Sequence, residues 1–313
     1  MVTYRIVVSP KSPLGTALIS GTVWGHLAWA VRYLDGEVAF SKRLEEQGTQ
    51  PWLVSSHLPL GMLPRPLLTP APRRDGVSSL EAMKREKSAR KHRLIPEAIF
   101  LELRDRMRES ALNEALAASN AGAAGGRVDA VPELKAHNRI DRLTGTTPEM
   151  GGLFFEEVSF SSAGSRYQLF LQAPTPCKDR LQDLLAFVGA SGFGANASTG
   201  NGHMDFHIDE ENVLFSGGGP RAMSLSHGIL TGNMKNPRYK QHVHFGKLGG
   251  DYAKGGFSPF KYPVLMMQPG ATFDPLDTGP FGALLDRVHH DPALERIRHH
   301  AFHLPLQFTE VTP

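Results

Sequence analysis

The chain has 313 residues, 41% hydrophobic and 21% charged, with 34 basic against 31 acidic side chains and a net charge of +3. That is a soluble globular composition, long enough for two domains with their own cores, and no apolar run reaches the length of a membrane span. One cysteine, Cys177, excludes an internal disulfide and a multi-cysteine zinc site and fits a reducing cytoplasm; the first residues lack the layout of a secretory signal.

Residues 4–8 read as a β-branched strand ended by Pro10 and Pro13. Ser20 is placed to cap a helix whose Trp24, Leu27, Ala28, Val31 and Leu34 share one face, and Gly36 stops it. Strand, long loop and helix open a βαβ unit. His26 lies on that helix, where a general-base role and a ring without chemistry are both open. Residues 51–72 are rich in proline and apolar side chains. They read as an ordered loop or a short hairpin about Leu60-Gly61. Arg65, stiffened by a proline on each side, suits a phosphate contact or is a plain surface charge.

Residues 83–93 carry Lys84, Arg85, Lys87, Arg90, Lys91 and Arg93 against Glu86. In a helix Lys84, Lys87 and Lys91 fall on one face, and so dense a cluster in a near-neutral chain reads as a polyanion contact rather than a solvated face. Residues 109–120 are alanine-rich and helical, and 121–126 form a flexible glycine-alanine segment. The span 70–147 is therefore expected to be one long excursion between elements of the first domain. It closes on a segment that gathers His137, Asn138, Arg139, Arg142 and Thr144. Arginine forks suit phosphate oxygens, and Asn or Thr suits base edges; Asp141 beside two arginines equally suits a local ion pair.

Strands are expected over 151–160 and 166–172, the second with Tyr167, Leu169 and Leu171 on one face. A helix over 179–188 aligns Leu181, Leu184, Leu185 and Val188, with Gly189 as its C-cap. Met204, Phe206 and Ile208 then alternate as a strand. This completes a first domain of ferredoxin-like type over 1–215. The Ser216-Gly-Gly-Gly-Pro220 break opens a second, smaller β-α-β arrangement over 216–313. Its strands are expected over 222–229, 262–267 and 302–308, with a loop over 235–256 and helices over 281–288 and near Leu294.

The helix-to-strand loop 191–202 is the most informative stretch. It holds Gly192, Gly194, Asn196, Ser198, Thr199, Gly200 and Gly202. Glycines admit positive φ and close approach, and successive exposed N–H groups make an anion-binding concavity. The functional reading is contact with a phosphodiester chain; a tight structural turn is the alternative. A P-loop would need Lys and Ser or Thr after the last glycine, and both it and a dinucleotide fingerprint run from strand into helix, so neither fits. The histidine pairs supply no zinc ligand set. No nucleophile–base–acid constellation and no cofactor motif is visible, and Glu156-Glu157 have no identifiable partner.

Taken together these segments resemble the handle-binding, Cas5-like RAMP subunit of the type III-A (Csm) CRISPR effector complex. The resemblance rests on Gly15-Thr16 with 22–29; on 51–56 with Leu63-Pro-Arg-Pro66; on His137-Asn-Arg-Ile-Asp-Arg-Leu-Thr-Gly145 leading to Gly152-Leu-Phe; and on the loop ending Ser198-Thr-Gly-Asn-Gly202. Gly249-Gly with Tyr252, Pro259-Phe-Lys261 and Leu265-Met-Met-Gln-Pro-Gly270 extend it nearly to the C-terminus. It implies an α+β protein of two tandem ferredoxin-like (RRM-like, RAMP) domains, with a thumb-type insertion at about 70–147. It implies no nuclease activity of its own, and the residues themselves suggest no cofactor and no metal. Its partners would be the 5′ handle of the CRISPR RNA, target RNA near the first paired position, the large polymerase-like subunit and a backbone RAMP subunit. The RNA-facing residues would be those already named, with Lys254 and Lys261. Two rival classes remain: a RAMP-fold endoribonuclease using His26 as acid or base, and a generic RNA-binding or assembly module.

Overall fold

The computed structural model describes residues 1–70, 91–119, 130–254 and 256–312. β1 (Val2–Pro10) buries Tyr4, Ile6 and Val8 and leads through a loop into α1 (Ser20–Thr49). Short strands β2 (Leu53–Val54), β3 (Leu58–Pro59), β4 (Met62–Pro64) and β5 (Leu94–Pro96) precede α2 (Glu97–Leu103) and α3 (Glu109–Ala118). A ribbon of β6 (Ala130–Asn138) and β7 (Leu153–Ser161) leads to β8 (Tyr167–Ala173), α4 (Lys178–Ser191) and β9 (Met204–Glu210). The first sheet runs β2-β8-β1-β9, antiparallel throughout. Both α1 and α4 cover it: Val23, Leu27, Ala30 and Val31 of α1 and Leu181, Leu184, Leu185 and Val188 of α4 close one core with Tyr4, Ile6, Leu169 and Ile208.

Several local signals resolve differently from expectation. Ser20 does not cap α1; its hydroxyl donates to the carbonyl of His227, and Ile19 holds the cap position. Gly36 (φ 84°) bends the helix instead of ending it. The second segment is drawn back because Gln47 is buried and accepts from the Trp24 indole and the Trp52 N–H, while Phe40 and Leu44 pack on the core. Gly189 is not the C-cap of α4. A Cβ there would stand 2.2 Å from the carbonyl oxygen of Met204, so the glycine permits close helix-to-strand approach, and Gly192 (φ 84°) follows the helix end. The turn at Leu60-Gly61 is present, but β3 pairs with β8 and β4 with β5, not with each other.

The second half contains β10 (Arg221–Ser224), β11 (Met234–Arg238), β12 (Gln241–His244), β13 (Val264–Met267), β14 (Thr272–Pro275), β15 (Gly282–Leu285), β16 (His299–Phe302) and β17 (Pro305–Phe308). Its main sheet runs β11-β14-β10-β17. Counted along the chain, that is the strand order of the first sheet. Among the described residues its own half supplies no α-helix to cover it; α2 and α3 of the first half pack against β10 and β17 instead. The helix expected over 281–288 is strand β15, and the one near Leu294 is a single 3-10 turn. Phe281, Leu284, Leu285 and Val288 do repeat at helical spacing, but Gly282 (φ 87°) lies against the carbonyl of Ala301, and Arg287 (φ 47°) turns the chain back. The expected loop 235–256 holds most of β11 and all of β12. Asn236 (φ 46°) and a register shift between Lys235 and Arg238 bulge β11, which erased its alternation from the sequence.

Nor is 70–147 simply an excursion. Ile99, Phe100 and Leu103 of α2 and Leu112 and Leu116 of α3 share one core with Leu53 and Phe170 of the first sheet and with Met223, Leu306 and Phe308 of the second. This segment therefore ties the two halves together through buried apolar contact. The ribbon of β6 and β7 begins within 70–147 and runs on to Ser161.

Candidate nucleic-acid interface

The loop after β1 is the strut on which the candidate site is built. Lys11 and Ser12 donate their N–H groups to the carbonyl of His203, at 2.8 and 3.3 Å, and the Ser12 hydroxyl accepts from the N–H of His203 at 2.8 Å. Pro13 accepts from the N–H of Gly202 at 2.8 Å. Leu14 and Ser159 exchange backbone bonds of 3.0 and 2.8 Å, anchoring the root of the β6–β7 ribbon. The Thr16 hydroxyl accepts from the N–H of Ala195 at 2.9 Å. One short segment thus fixes the glycine loop and the ribbon relative to each other. Sequence reasoning missed most of its role; Pro10, Pro13 and Gly15 were its signal, and a Cβ on Gly15 would stand 2.8 Å from the carbonyl oxygen of Ala195.

The glycines of 191–202 divide into two kinds. At Gly192 and Gly202 a Cβ would stand 2.7 and 2.1 Å from the carbonyl oxygens of Asn201 and Phe193, and at Gly194 it would stand 2.4 Å from Cβ of Thr16; all three have positive φ. These positions shape the loop itself. Gly200 (φ +99°) has nothing within 4 Å, and Ser198 and Thr199 beside it are exposed. The N–H groups of Phe193, Gly194, Ala195, Thr199, Gly200, Asn201 and Gly202 donate within the protein. The exposed contact surface of the loop is therefore its rim, with Ser198, Thr199 and Gly200. Asn196, at φ 60°, turns the chain into that rim. Gly202→Ala is accordingly expected to destabilise the fold by about 2 kcal/mol or more, against about 1 kcal/mol for Gly200→Ala. Urea unfolding of both variants checks this; equal costs would contradict the division.

His26 accepts the N–H of Gly194 at its Nε2, 3.1 Å away, and its ring lies 4.2 Å from that of Phe193. Burial lowers its pKa to about 4, so the ring is neutral at pH 7 with Nε2 as acceptor. The nitrogen a general base would use already holds a main-chain donor.

The ribbon carries the arginine segment at its end. Its neck is closed by the Arg139 N–H donating to Gly152, 2.7 Å away. Among the described residues Asp141 forms no ion pair: its Oδ1 accepts the N–H groups of Leu143 and Thr144 and so shapes the turn. Asn138 accepts from the Thr147 hydroxyl at 2.8 Å, and the Thr144 hydroxyl lies 2.9 Å from that of Thr146. His137 stacks on Phe154 at 5.2 Å and faces Glu156 at 3.0 Å, which gives that glutamate its partner. Arg139 and Arg142 are exposed and carry no ion pair among the described residues. Between and beside them Leu143 and Met150 are 97% and 92% exposed, and Leu134, Leu153 and Phe155 line one exposed face of the ribbon. Cations and bare apolar groups on one projection mark a contact surface, not a fold element.

The remaining candidates lie elsewhere. Arg65 donates to Asn113 at 2.6 Å. Lys261 donates to the carbonyl of Arg298 at 3.1 Å, within the second half. Lys91 is exposed. Lys84, Lys87 and the side chain of Lys254 lie outside the described residues. No group of three His, Cys, Asp or Glu side chains has metal-holding geometry among the described residues, and no described helix is long and apolar enough to cross a membrane.

No family model and no curated sequence matches the chain. Its fold does match solved structures. One is a chain of a Csm1-Csm4 cassette crystallised with pppApA, at TM-score 0.61 and 15% identity over 99% of this chain and 100% of that one. Another comes from the same kind of cassette with cA4, at 0.61 and 16% over the same shares. A third belongs to a Csm3-Csm4 subcomplex of the type III-A CRISPR-Cas interference complex, at 0.58 and 12%, again over 99% and 100%. At these identities the likeness is one of fold, a mixed α/β architecture shared end to end.

Proposed function

We propose that the chain is a non-catalytic, RNA-binding scaffold subunit of a type III-A CRISPR complex. It caps the 5′ handle of the CRISPR RNA and bridges the large polymerase-like subunit to the RAMP backbone. The observation that carries this reading is the end-to-end likeness of fold to chains of Csm assemblies, joined to a ribbon whose end holds exposed arginines with no ion pair among the described residues. The shared strand order of the two sheets supports reading them as tandem ferredoxin-like domains, the second without its helices. A single-stranded handle requires cations along its backbone and loops that approach it closely. Arg139, Arg142 and the rim Ser198–Gly200 meet those needs, and the ribbon fits the role of a thumb set between guide and target.

The position of His26 argues against the endoribonuclease reading. Incubation of the purified chain with repeat RNA is expected to give no specific product, and the wild type and His26→Ala are expected to behave alike. A defined cut that disappears in His26→Ala would overturn the scaffold role. The same preparation is expected to retain handle RNA in preference to a scrambled sequence of equal length. Equal retention would leave only a generic RNA-binding module.

A further inference from the structure

A cavity of about 390 Å³ lies between α1 and the second half, away from the glycine loop. Its volume is that of a small-molecule site. One wall is planar. The Arg32 guanidinium lies over the ring of Trp29, 4.9 Å from its centroid, and 5.7 Å from that of Tyr252. This wall is built by the chain's own constraints. A Cβ on Gly250 (φ +56°) would stand 2.5 Å from the Trp29 ring, and the Tyr33 hydroxyl pins the adjoining turn by donating to Asp251 at 2.9 Å.

The lining also carries cations: Lys261, Arg296 and Arg298. The Lys261 ammonium donates to the carbonyl of Arg298 at 3.1 Å and has no carboxylate in ion-pair reach among the described residues. Arg298 donates to the carbonyls of Glu295 and Ile297 through one nitrogen, Nη1. Arg296 is exposed and without an ion pair among the described residues. Of the acids on the lining, Glu37 is held by Arg32 at 2.8 Å, and Glu45 is exposed. A half-buried ammonium answered only by a carbonyl is costly, and an arriving anion relieves that cost. Burial accordingly lowers the Lys261 pKa to about 8.

We propose that this cavity takes one nucleotide of single-stranded RNA, its base on the Arg32–Trp29–Tyr252 wall and its phosphate toward Lys261, Arg296 and Arg298. The proposal rests on the RNA-binding role above and gives it a second, separate contact. Planar guanidinium and ring faces stack on bases, whereas an acidic peptide would engage the cations alone. Trp29, Tyr252 and Lys261 lie in stretches that carry the resemblance, whereas Arg32, Arg296 and Arg298 did not stand out in the sequence.

The test uses the full chain and single-stranded handle RNAs of about a dozen nucleotides, each with 2-aminopurine at one position. One position is expected to be quenched on binding. Arg32→Ala is expected to remove that quench and weaken binding about fivefold or more, and Lys261→Gln to lower the log–log salt slope by about 0.7. Arg296→Ala, at an exposed site, repeats the salt test without risk to the fold. Tight binding with no quenched position, or a quench unchanged in Arg32→Ala, would sink the cavity while leaving the RNA role standing. Failure of every RNA to bind would sink both. Displacement of the quench by a polyglutamate peptide but not by adenosine monophosphate would assign the cavity to an acidic protein segment instead.

Discussion

Near pH 5 the unfolding free energy of the chain is expected to fall by about 4 kcal/mol per pH unit. The cause is a set of buried histidines on β16 and just after it. His299, His300 and His303 are 5%, 0% and 0% exposed. Burial lowers their pKa values to about 3, 4 and 4; Lys261 adds to the shift at His299, while the carbonyls of Trp52 and Ile229 oppose it weakly at the other two. Their rings stay neutral: Nε2 of His300 donates to Trp52 at 2.8 Å, and Nε2 of His303 faces the carbonyl of Ile229 at 3.0 Å. No carboxylate pairs with them among the described residues, where the acid–histidine pairs are His137–Glu156 and His207–Asp209.

The sign follows from where the proton goes. In the unfolded chain these rings titrate near 6.5, so below that pH the unfolded state binds protons that the native state refuses. The stability they contribute is complete above pH 6.5 and is lost as pH falls toward their native values. At pH 5 unfolding should take up roughly three protons from these rings, each worth about 1.4 kcal/mol per pH unit. His227 and His244, lowered to about 3 and 4 chiefly by burial, act in the same direction. Glu211 and Glu310 add a loss below pH 4.5. Burial raises their pKa values but is outweighed, at Glu211 by the Leu214 N–H and Arg5, and at Glu310 by the Thr69 N–H and Arg238. Urea unfolding at a series of pH values measures the slope. Uptake of less than one proton at pH 5 would mean that these rings are charged or exposed.

Replacing Arg139 and Arg142 together by alanine is expected to lower the log–log salt slope of handle binding by about 1.4, two phosphate contacts at about 0.7 each. The urea midpoint should not move, because both side chains are exposed and no ion pair of the described residues includes them. The apolar ribbon tip remains in that variant, so any loss reports the cations. Unchanged affinity and slope would move the arginines to a protein neighbour. A falling midpoint would instead make them part of the fold, which their exposure contradicts.

The first half was largely legible because its elements are regular. Residues 4–8, 179–188 and 204–208 alternate or repeat at the spacing their burial imposes, and the observed β1, α4 and β9 contain them. The second half was not, because its strands are four or five residues long and one is bulged, too short for a period to declare itself. The Phe281–Val288 spacing pointed to a helix, and antiparallel pairing with β16 made residues 282–285 a strand.

The functional surface divides along the same line. Composition alone determined where the cations, hydroxyls and glycines stand along the chain, and so which segments suit RNA. Only the folded chain decided which of those groups remain available, because the competing partners come from far away in sequence: His26 lies 168 residues from Gly194, and Thr16 lies 179 from Ala195. Local periodicity reports how deeply a side chain is buried. It carries no record of which distant donor or acceptor meets it there, and that pairing separates a loop that binds from one that only holds its own shape.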